Sequence, residues 1–333
     1  MATQVLICDD SGLARKVLAR SLPEGLNAAI TYASNGQEAV EAIRKGQFDL
    51  MFLDLTMPVM DGYEVLETLN KENRMFDIVV VSGDIQAEAQ KRVLALGARD
   101  FIKKPCSKET LTELLPDIGY PLDEETEEAN IEERLSDSDI DPLDRIGEIS
   151  NVAMGRAASL LADILEVFVV LPIPLVNEVE SSELQMAVAA IGNSEEMSAV
   201  CQGFIGSRIS GEAFLMIHDG NISELAKMMG HDDYNPEEDR IEVIMDMANV
   251  LISASLKGFE EQLDLRFSRG HPTVLDSQDN IDKLLAHGAH QWKKTLAIEF
   301  DYRIEDHDIQ CTLMLLFSEN SIQMLHNRTA YIG

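Results

Sequence analysis

The first 118 residues alternate between short apolar runs and amphipathic segments long enough to carry the chain back on itself, and few folds satisfy that rhythm. Residues 4–8, 28–32, 50–54, 78–82 and 100–103 read as strands, with helical patterns over 11–22, 36–45, 62–70 and 85–96 between them. Strands joined by helical crossovers run parallel, so the expectation is an α/β doubly wound, five-stranded parallel sheet. In such sheets ligands gather outside the carboxyl ends of the strands. That rule selects Asp9 and Asp10 after the first strand, Asp54 after the third, Ser82 after the fourth and Lys104 after the fifth. Taken singly, an acid after a strand is a turn or cap residue and Lys104 a surface lysine. Together, three carboxylates in one crevice repel one another unless a divalent cation sits among them, and an all-oxygen set with room for water suits Mg²⁺. Lys104 and Ser82 then offer a charge and a hydroxyl to a phosphoryl group on Asp54. Positioning and charge neutralisation are most of what phosphoryl transfer asks of a protein.

The second half carries a pattern that occurs twice, 98 residues apart: acid, two residues, Asn, twenty-two residues, Pro. The copies are Glu148, Asn151, Pro174 and Asp246, Asn249, Pro272, each with a further acid four residues upstream, Asp144 and Glu242. With 59 acids, 14 Asn and 10 Pro in 333 residues, chance supplies about 0.07 copies, so duplication is the better explanation. An acid and an amide three apart on a helix share a face. One can hold a cation and the other steer a water, although such a pair can equally just stabilise its helix. A helical pattern over 142–165, strands at 198–207 and 211–218 and a helix at 221–229 are followed by a second helix at 237–262. Strands around 263–267, 293–304 and 309–317 and a last helix at 319–326 complete the series. The order helix, strands, helix therefore occurs twice, and an α+β domain with a pseudo-twofold internal repeat is the economical fold.

Charge sets the boundary and excludes partners. Between 117 and 144 there are twelve acids against one base, Arg134, so 119–140 reads as an acidic linker between a domain at 1–118 and one at 141–333. The whole chain carries 59 acids against 27 bases, a net −32, which disfavours nucleic acid and anionic membrane surfaces. The longest apolar stretch, 167–176, is broken by Pro172 and Pro174 and is too short to span a bilayer. No signal-peptide pattern opens the chain. Cys8, Cys106, Cys201 and Cys311 lack metal-type spacing and read as buried free thiols. The expectation is a cytoplasmic protein. His287 and His290 are three apart with no third ligand nearby, Met245 and Met247 fit core filling, and Trp292 fits strand packing.

The first half resembles the response-regulator receiver domain, as in CheY. The strings that carry the resemblance are Ile7-Cys8-Asp9-Asp10-Ser11, Ala33-Ser34-Asn35-Gly36, Leu53-Asp54-Leu55-Thr56-Met57-Pro58-Val59-Met60-Asp61-Gly62, Val81-Ser82-Gly83 and Phe101-Ile102-Lys103-Lys104-Pro105. The resemblance implies a flavodoxin-like fold and a phosphoacceptor, Asp54, charged by a CheA-like histidine kinase. It also implies Mg²⁺ held by Asp9, Asp10 and Asp54, and a switch through Ser82 and Phe101. Thr56 and Asp84 occupy the positions that tune how long the phosphate lasts.

The second half resembles the CheC/CheX/FliY phosphatases, whose signature Asp-x3-Glu-x2-Asn-x22-Pro stands here as Asp144, Glu148, Asn151 and Pro174. Two copies match the two-site CheC and FliY pattern. The resemblance implies a phosphatase acting on a phosphorylated CheY-type regulator, in which Glu148 pairs with the receiver's active-site lysine and Asn151 orients a water. Asp246 in place of Glu departs from the signature, so Asp246/Asn249 ranks below Glu148/Asn151. Two alternatives remain open at this level: a non-catalytic, phosphorylation-dependent adaptor, and a phosphate sink that dephosphorylates its own receiver. A homodimer is also open.

Overall fold

The computed structural model describes residues 2–122, 141–180, 197–231, 235–236, 238–275 and 294–330. The chain divides into two compact units, Met1–Glu148 and Ile149–Ile332.

The first unit is built on strands β1 (Thr3–Cys8), β2 (Ala28–Ala33), β3 (Leu50–Leu53), β4 (Asp77–Ser82) and β5 (Asp100–Lys103). They form one parallel sheet in the order β2-β1-β3-β4-β5. Helices α1 (Gly12–Ser21), α2 (Gly36–Lys45), α3 (Gly62–Lys71), α4 (Ala87–Ala95) and α5 (Lys108–Asp117) cover its two faces. One face buries Leu6, Met51, Leu53 and Val80 with Val40, Val65 and Leu66; the other buries Val5, Ile7, Phe52 and Val79 with Leu18, Leu111 and Leu115. The expected strands and helices are all present within two residues at each end. Helix α5 was not foreseen, because Pro116 lies inside it and the acidic run begins at its last residue.

Helix starts are fixed by side chains that satisfy the orphan amides of the first turn. Ser11 caps α1 and Asn35 caps α2, while Asp61 and Glu64 form a reciprocal capping box on α3. Ser11 and Asn35 follow closely on the ends of β1 and β2, so those loops are short, whereas residues 54–61 separate β3 from α3. Gly36 and Gly62 are required where they stand: an added Cβ would meet the Met60 carbonyl oxygen at 2.6 Å and the Asp54 carbonyl oxygen at 2.4 Å respectively.

Helix α6 (Pro142–Leu165) has the bounds expected from the sequence, and the boundary between the units falls within it. The second unit continues with β6 (Val169–Val170), β7 (Leu175–Glu180), β8 (Met197–Gly206), β9 (Ile209–His218) and α7 (Asp219–Met228). It then repeats that order with α8 (Arg240–Leu263), β10 (Ser268–Arg269), β11 (Thr273–Leu275), β12 (Lys294–Ile304), β13 (Ile309–Phe317) and α9 (Glu319–Thr329). The sheet runs β10-β8-β9-β13-β12-β6, with β11 also pairing β8 and β7 also pairing β12. Exchanging the two halves of the sequence turns this order into itself, so the internal repeat is a pseudo-twofold in which each half lends its first two strands to the other. Pro174 and Pro272 stand immediately before β7 and β11, the start of an exchanged strand, where the missing N–H leaves no ladder bond unmade. One expectation fails here. Residues 263–267 are not a strand: α8 runs to Leu263, Asp264 turns it off in the left-handed region (φ 47°), and pairing begins only at Ser268. The apolar side chains that suggested a strand, Leu265 and Phe267, are buried as packing residues instead, with Phe267 edge-on to Phe204. The two histidines at 287 and 290 and the tryptophan at 292 lie outside the described residues.

Helix α8 packs on β8 and β9 and sets Phe259 against Phe317 of β13. It also lies against α6: the Gln262 amide donates to the Ile149 carbonyl at 2.9 Å, and Gly258 sits beside Ala153. Contacts that fall as the residue number rises on one helix and drops on the other make the pair antiparallel. At Gly258 an added Cβ would lie 2.6 Å from the Ala153 Cα, a backbone atom that cannot swing aside. Helix propensity alone would make Gly258→Ala stabilising by about 1 kcal/mol. The close approach reverses the sign, and a net loss of about 1–3 kcal/mol is expected in urea denaturation. A more stable variant would show that the helices do not approach so closely.

Candidate functional site

The crevice at the carboxyl end of the parallel sheet assembles from four loops. Asp9 and Asp10 follow β1, Asp54 follows β3, Ser82 ends β4 and Lys104 follows β5. The Lys104 ammonium lies 2.7 Å from Asp9 Oδ2 and 3.1 Å from Asp54 Oδ1. Its backbone N–H donates to the Ser82 carbonyl at 2.9 Å, which ties the β5 loop to the end of β4. Asp9, Asp54, Ser82 and Lys104 are all buried. The sequence-derived crevice residues are therefore brought together. Phe101, on β5, packs partly buried against the core face that contains Val65 and Leu66.

Backbone and side-chain hydrogen bonds hold the carboxylates in place. Asp9 Oδ1 accepts from Ser11 N at 2.9 Å and Asp54 Oδ2 accepts from Thr56 N at 2.8 Å. Arg15, on α1, donates to the carbonyls of Asp9 and Asp10 at 2.5 and 3.1 Å and so clamps the loop that presents both acids. The sequence reading overlooked Arg15; its signal was a basic residue one to two turns into the helix that follows the acid pair.

Burial dominates the electrostatics. Desolvation, opposed by the Lys104 charge and reinforced by Asp9 and Asp10, holds the Asp54 carboxyl well above the usual carboxylate range. Burial followed by repulsion from Asp9 pushes Asp10 up to about 6. Lys104 pays a desolvation penalty that its acidic neighbours outweigh, so its ammonium is held charged well above the ordinary lysine range. Asp54 Oδ1 is buried without a hydrogen-bond donor, since the Lys104 ammonium 3.1 Å away is off the bonding direction. Among the described residues no three acidic, histidine or cysteine side chains already stand as a ready-made metal group. The donor chemistry nonetheless fits a hard divalent cation: three carboxylates, one with an unpartnered oxygen, and a lysine that spans two of them.

Beside the crevice, Asp84 is buried and accepts from both the backbone N–H and the side-chain amide of Gln86, each at 3.1 Å, while its own N–H donates to Ser82 Oγ. The Gln86 bonds lower the carboxyl's pKa, but desolvation is larger and raises it to about 6.

The motif helices α6 and α8 are each 24 residues long. The motif acid is the seventh and the Asn the tenth residue of both. Asn151 is buried, whereas Glu242, Asp246 and Asn249 are all exposed on α8. Cys8, Cys106, Cys201 and Cys311 are free and buried. No helix among the described residues is long and apolar enough to cross a membrane.

The raised carboxyl of Asp84 gives a pH prediction. A folded-state pKa above the unfolded one means that ionising the group costs the folded state; the cost is absent below about pH 4, grows as pH rises toward about 6 and is full above it. Asp84→Asn removes the charge and keeps an acceptor for Gln86. Its stability relative to the parent chain should rise between about pH 4 and about pH 7, by at most about 3 kcal/mol. Urea midpoints at the two ends of that range test this, and a pH-independent difference would contradict it.

Comparison with known proteins identifies the family of the first unit. Residues 5–116 match the family model described as the response regulator receiver domain. The chemotaxis protein CheY of Halobacterium salinarum is 33% identical over 118 residues, which is 35% of this chain and 98% of that protein. A protein-glutamate methylesterase/protein-glutamine glutaminase of Symbiobacterium thermophilum is 40% identical over 105 residues, 31% of this chain but only 29% of that enzyme. Among solved structures, FliY of Thermotoga maritima covers 56% of this chain and 95% of its own, at 19% identity and a TM-score of 0.42. A likeness that distant leaves the role of the second unit to be argued from its own residues. Through its residues 5–116, the chain belongs to the response regulator receiver family of two-component signalling.

Proposed function

We propose that the chain is a phosphatase that hydrolyses aspartyl phosphate on a CheY-type response regulator, with its own receiver, phosphorylated at Asp54 by a CheA-like histidine kinase, gating that activity. The observation that carries this reading is the equivalence of the two motif helices. An acid and an Asn recur at the seventh and tenth positions of two 24-residue helices related by the pseudo-twofold. A pair kept merely for helix stability has no reason to recur in register with the fold.

The chemistry follows from what the two side chains can do. Aspartyl phosphate is a mixed anhydride that needs an in-line water more than it needs a base. A carboxylate at the seventh position offers a salt bridge to a receiver lysine placed as Lys104 is beside Asp54, and that bridge fixes the helix over the site. The amide at the tenth position, on the same face, accepts a hydrogen bond from a water and donates to the phosphoryl oxygen, so it orients the nucleophile without deprotonating it. Water oxygen bonds to phosphorus, the bond from phosphorus to the aspartyl oxygen breaks, the carboxylate leaves with the electron pair, and the water's protons leave with the inorganic phosphate or pass to solvent. In the chain's own receiver, Asp9, Asp10 and Asp54 would hold a Mg²⁺ ion, which would supply charge neutralisation to the phosphoryl oxygens. Asp54 provides the nucleophilic oxygen, Lys104 an ammonium and Ser82 a hydroxyl for the same oxygens, and Phe101 the packing that follows the change. Asp246 is one methylene shorter than Glu148. A setback of about 1 Å can cost on the order of 10²-fold in rate, so Asp246/Asn249 is the slower copy wherever both meet the same substrate.

Phosphate release from a phosphorylated CheY-type receiver, followed with catalytic amounts of the intact chain, tests the reading. Acceleration is expected, with a loss of about 10²-fold in the Asn151→Ala, Asn249→Ala double variant. Equal rates with the intact chain and the double variant would remove the phosphatase reading and leave an adaptor.

A further inference from the structure

We propose that Leu160 and Ile164 of α6 form an apolar docking strip beside the Asp246/Asn249 copy, and that the strip seats the loop following the phosphoaspartate of a receiver domain on a separate protein. This rests on the phosphatase reading and names what brings a substrate to the second copy.

The strip and its motif lie within the second compact unit. Glu242, Asp246 and Asn249 are exposed, and none has an ion pair or side-chain hydrogen bond among the described residues. The two carboxylates therefore suit a partner that brings a cation. Helices α6 and α8 run antiparallel, with Ala153 level with Gly258 and Ile149 level with Gln262. Counting along both helices from there puts Leu160 level with Leu251 and Ile164 level with Met247. At 1.5 Å per residue each stands within about 3 Å of Asn249 or Asp246 along the axis.

The 98-residue repeat makes Leu160 and Ile164 the counterparts of Gly258 and Gln262. Gly258 is pressed against Ala153, and the Gln262 amide donates to the Ile149 carbonyl. In one half, then, those two positions are consumed by the contact between the helices. In the other half large aliphatic side chains stand there, 44% and 39% exposed. They are four residues apart, so they share a face, and covering them removes apolar surface from water.

The occupant is identified by what a receiver presents. In this chain's own receiver the Lys104 ammonium lies 3.1 Å from Asp54. Val59, five residues after Asp54, is 81% exposed at φ 72°. β-Branched residues avoid that region of backbone, and the side chain lies outside the core, so neither backbone preference nor burial accounts for a valine there. A receiver of this build offers a cation to Asp246 and an apolar loop tip to Leu160 and Ile164. Because Asp246 reaches less far than Glu148, the apolar contact restores affinity that the shorter acid gives up.

The test uses the full chain carrying Asn151→Ala, which leaves the second copy alone to act. A stand-alone CheY-type receiver with valine five positions after its phosphoaspartate is titrated into it, with beryllofluoride and Mg²⁺ loading both receivers. Leu160→Ser and Ile164→Ser should each weaken binding by about 10-fold. Exchanging the added receiver's valine for serine should do the same, and combining that exchange with Leu160→Ser should add little further, because both remove one contact. With phosphorylated receiver at saturation, Leu160→Ser should leave the rate of phosphate release unchanged, whereas Asn249→Ala should slow it by about 10²-fold. Unchanged affinity in both strip variants, or losses that multiply in the combined pair, would overturn the strip; slowing by Asn249→Ala would still uphold the phosphatase reading. Strip variants that abolish self-association of the chain in sedimentation, without touching receiver affinity, would give the strip to a second copy and overturn the proposal. Phosphate release that Asn151→Ala and Asn249→Ala together fail to slow would overturn both readings.

Discussion

A single buried ammonium holds the functional crevice together. Lys104 reaches Asp9 and Asp54 from the end of β5 and is itself tied to β4 through its backbone. Three acids gathered at the ends of two adjacent strands, two of them buried, would otherwise repel one another unopposed, and the raised carboxyls of Asp10 and Asp54 record the cost of desolvation first and of that repulsion second. The arrangement is strained electrostatically and therefore responsive. A divalent cation or a phosphoryl group entering the crevice redistributes the partners of the lysine.

The fold around this crevice was legible because its constraints are local. Alternating apolar runs fix parallel strands, the caps Ser11, Asn35 and Asp61 fix where the helices begin, and the strand ends then place Asp9, Asp10, Asp54, Ser82 and Lys104 without further information. What escaped was set by tertiary context. Helix α5 was not read from the sequence, and it shows itself only through the burial of Leu111 and Leu115 in the core. The 263–267 segment has apolar residues at strand-like spacing, but they are buried around a left-handed turn at Asp264 rather than in a ladder. Arg15 carries no motif of its own; only the folded loop shows it holding the carbonyls of the acid pair.

Duplication explains both the symmetry and the asymmetry of the second unit. Exchange of β6/β7 and β10/β11 between halves makes each half incomplete without the other, so the motif helices are kept in equivalent places even as their sequences diverge. Fold constraints act on the prolines before the exchanged strands and on the Gly258–Ala153 contact, but not on the exposed face of α8. Asp246 is exposed on that face, so the packing of the fold does not call for the longer side chain that stands at Glu148.

The account stands on Asp54 carrying a phosphoryl group within this lysine-centred crevice. Incubating the full chain with radiolabelled acetyl phosphate and counting label per chain tests this most directly. With Mg²⁺ present, up to about one label per chain is expected, with none in Asp54→Asn and none when the cation is chelated. Label that persists in Asp54→Asn, or a parent chain that takes up none under any cation supply, would contradict it.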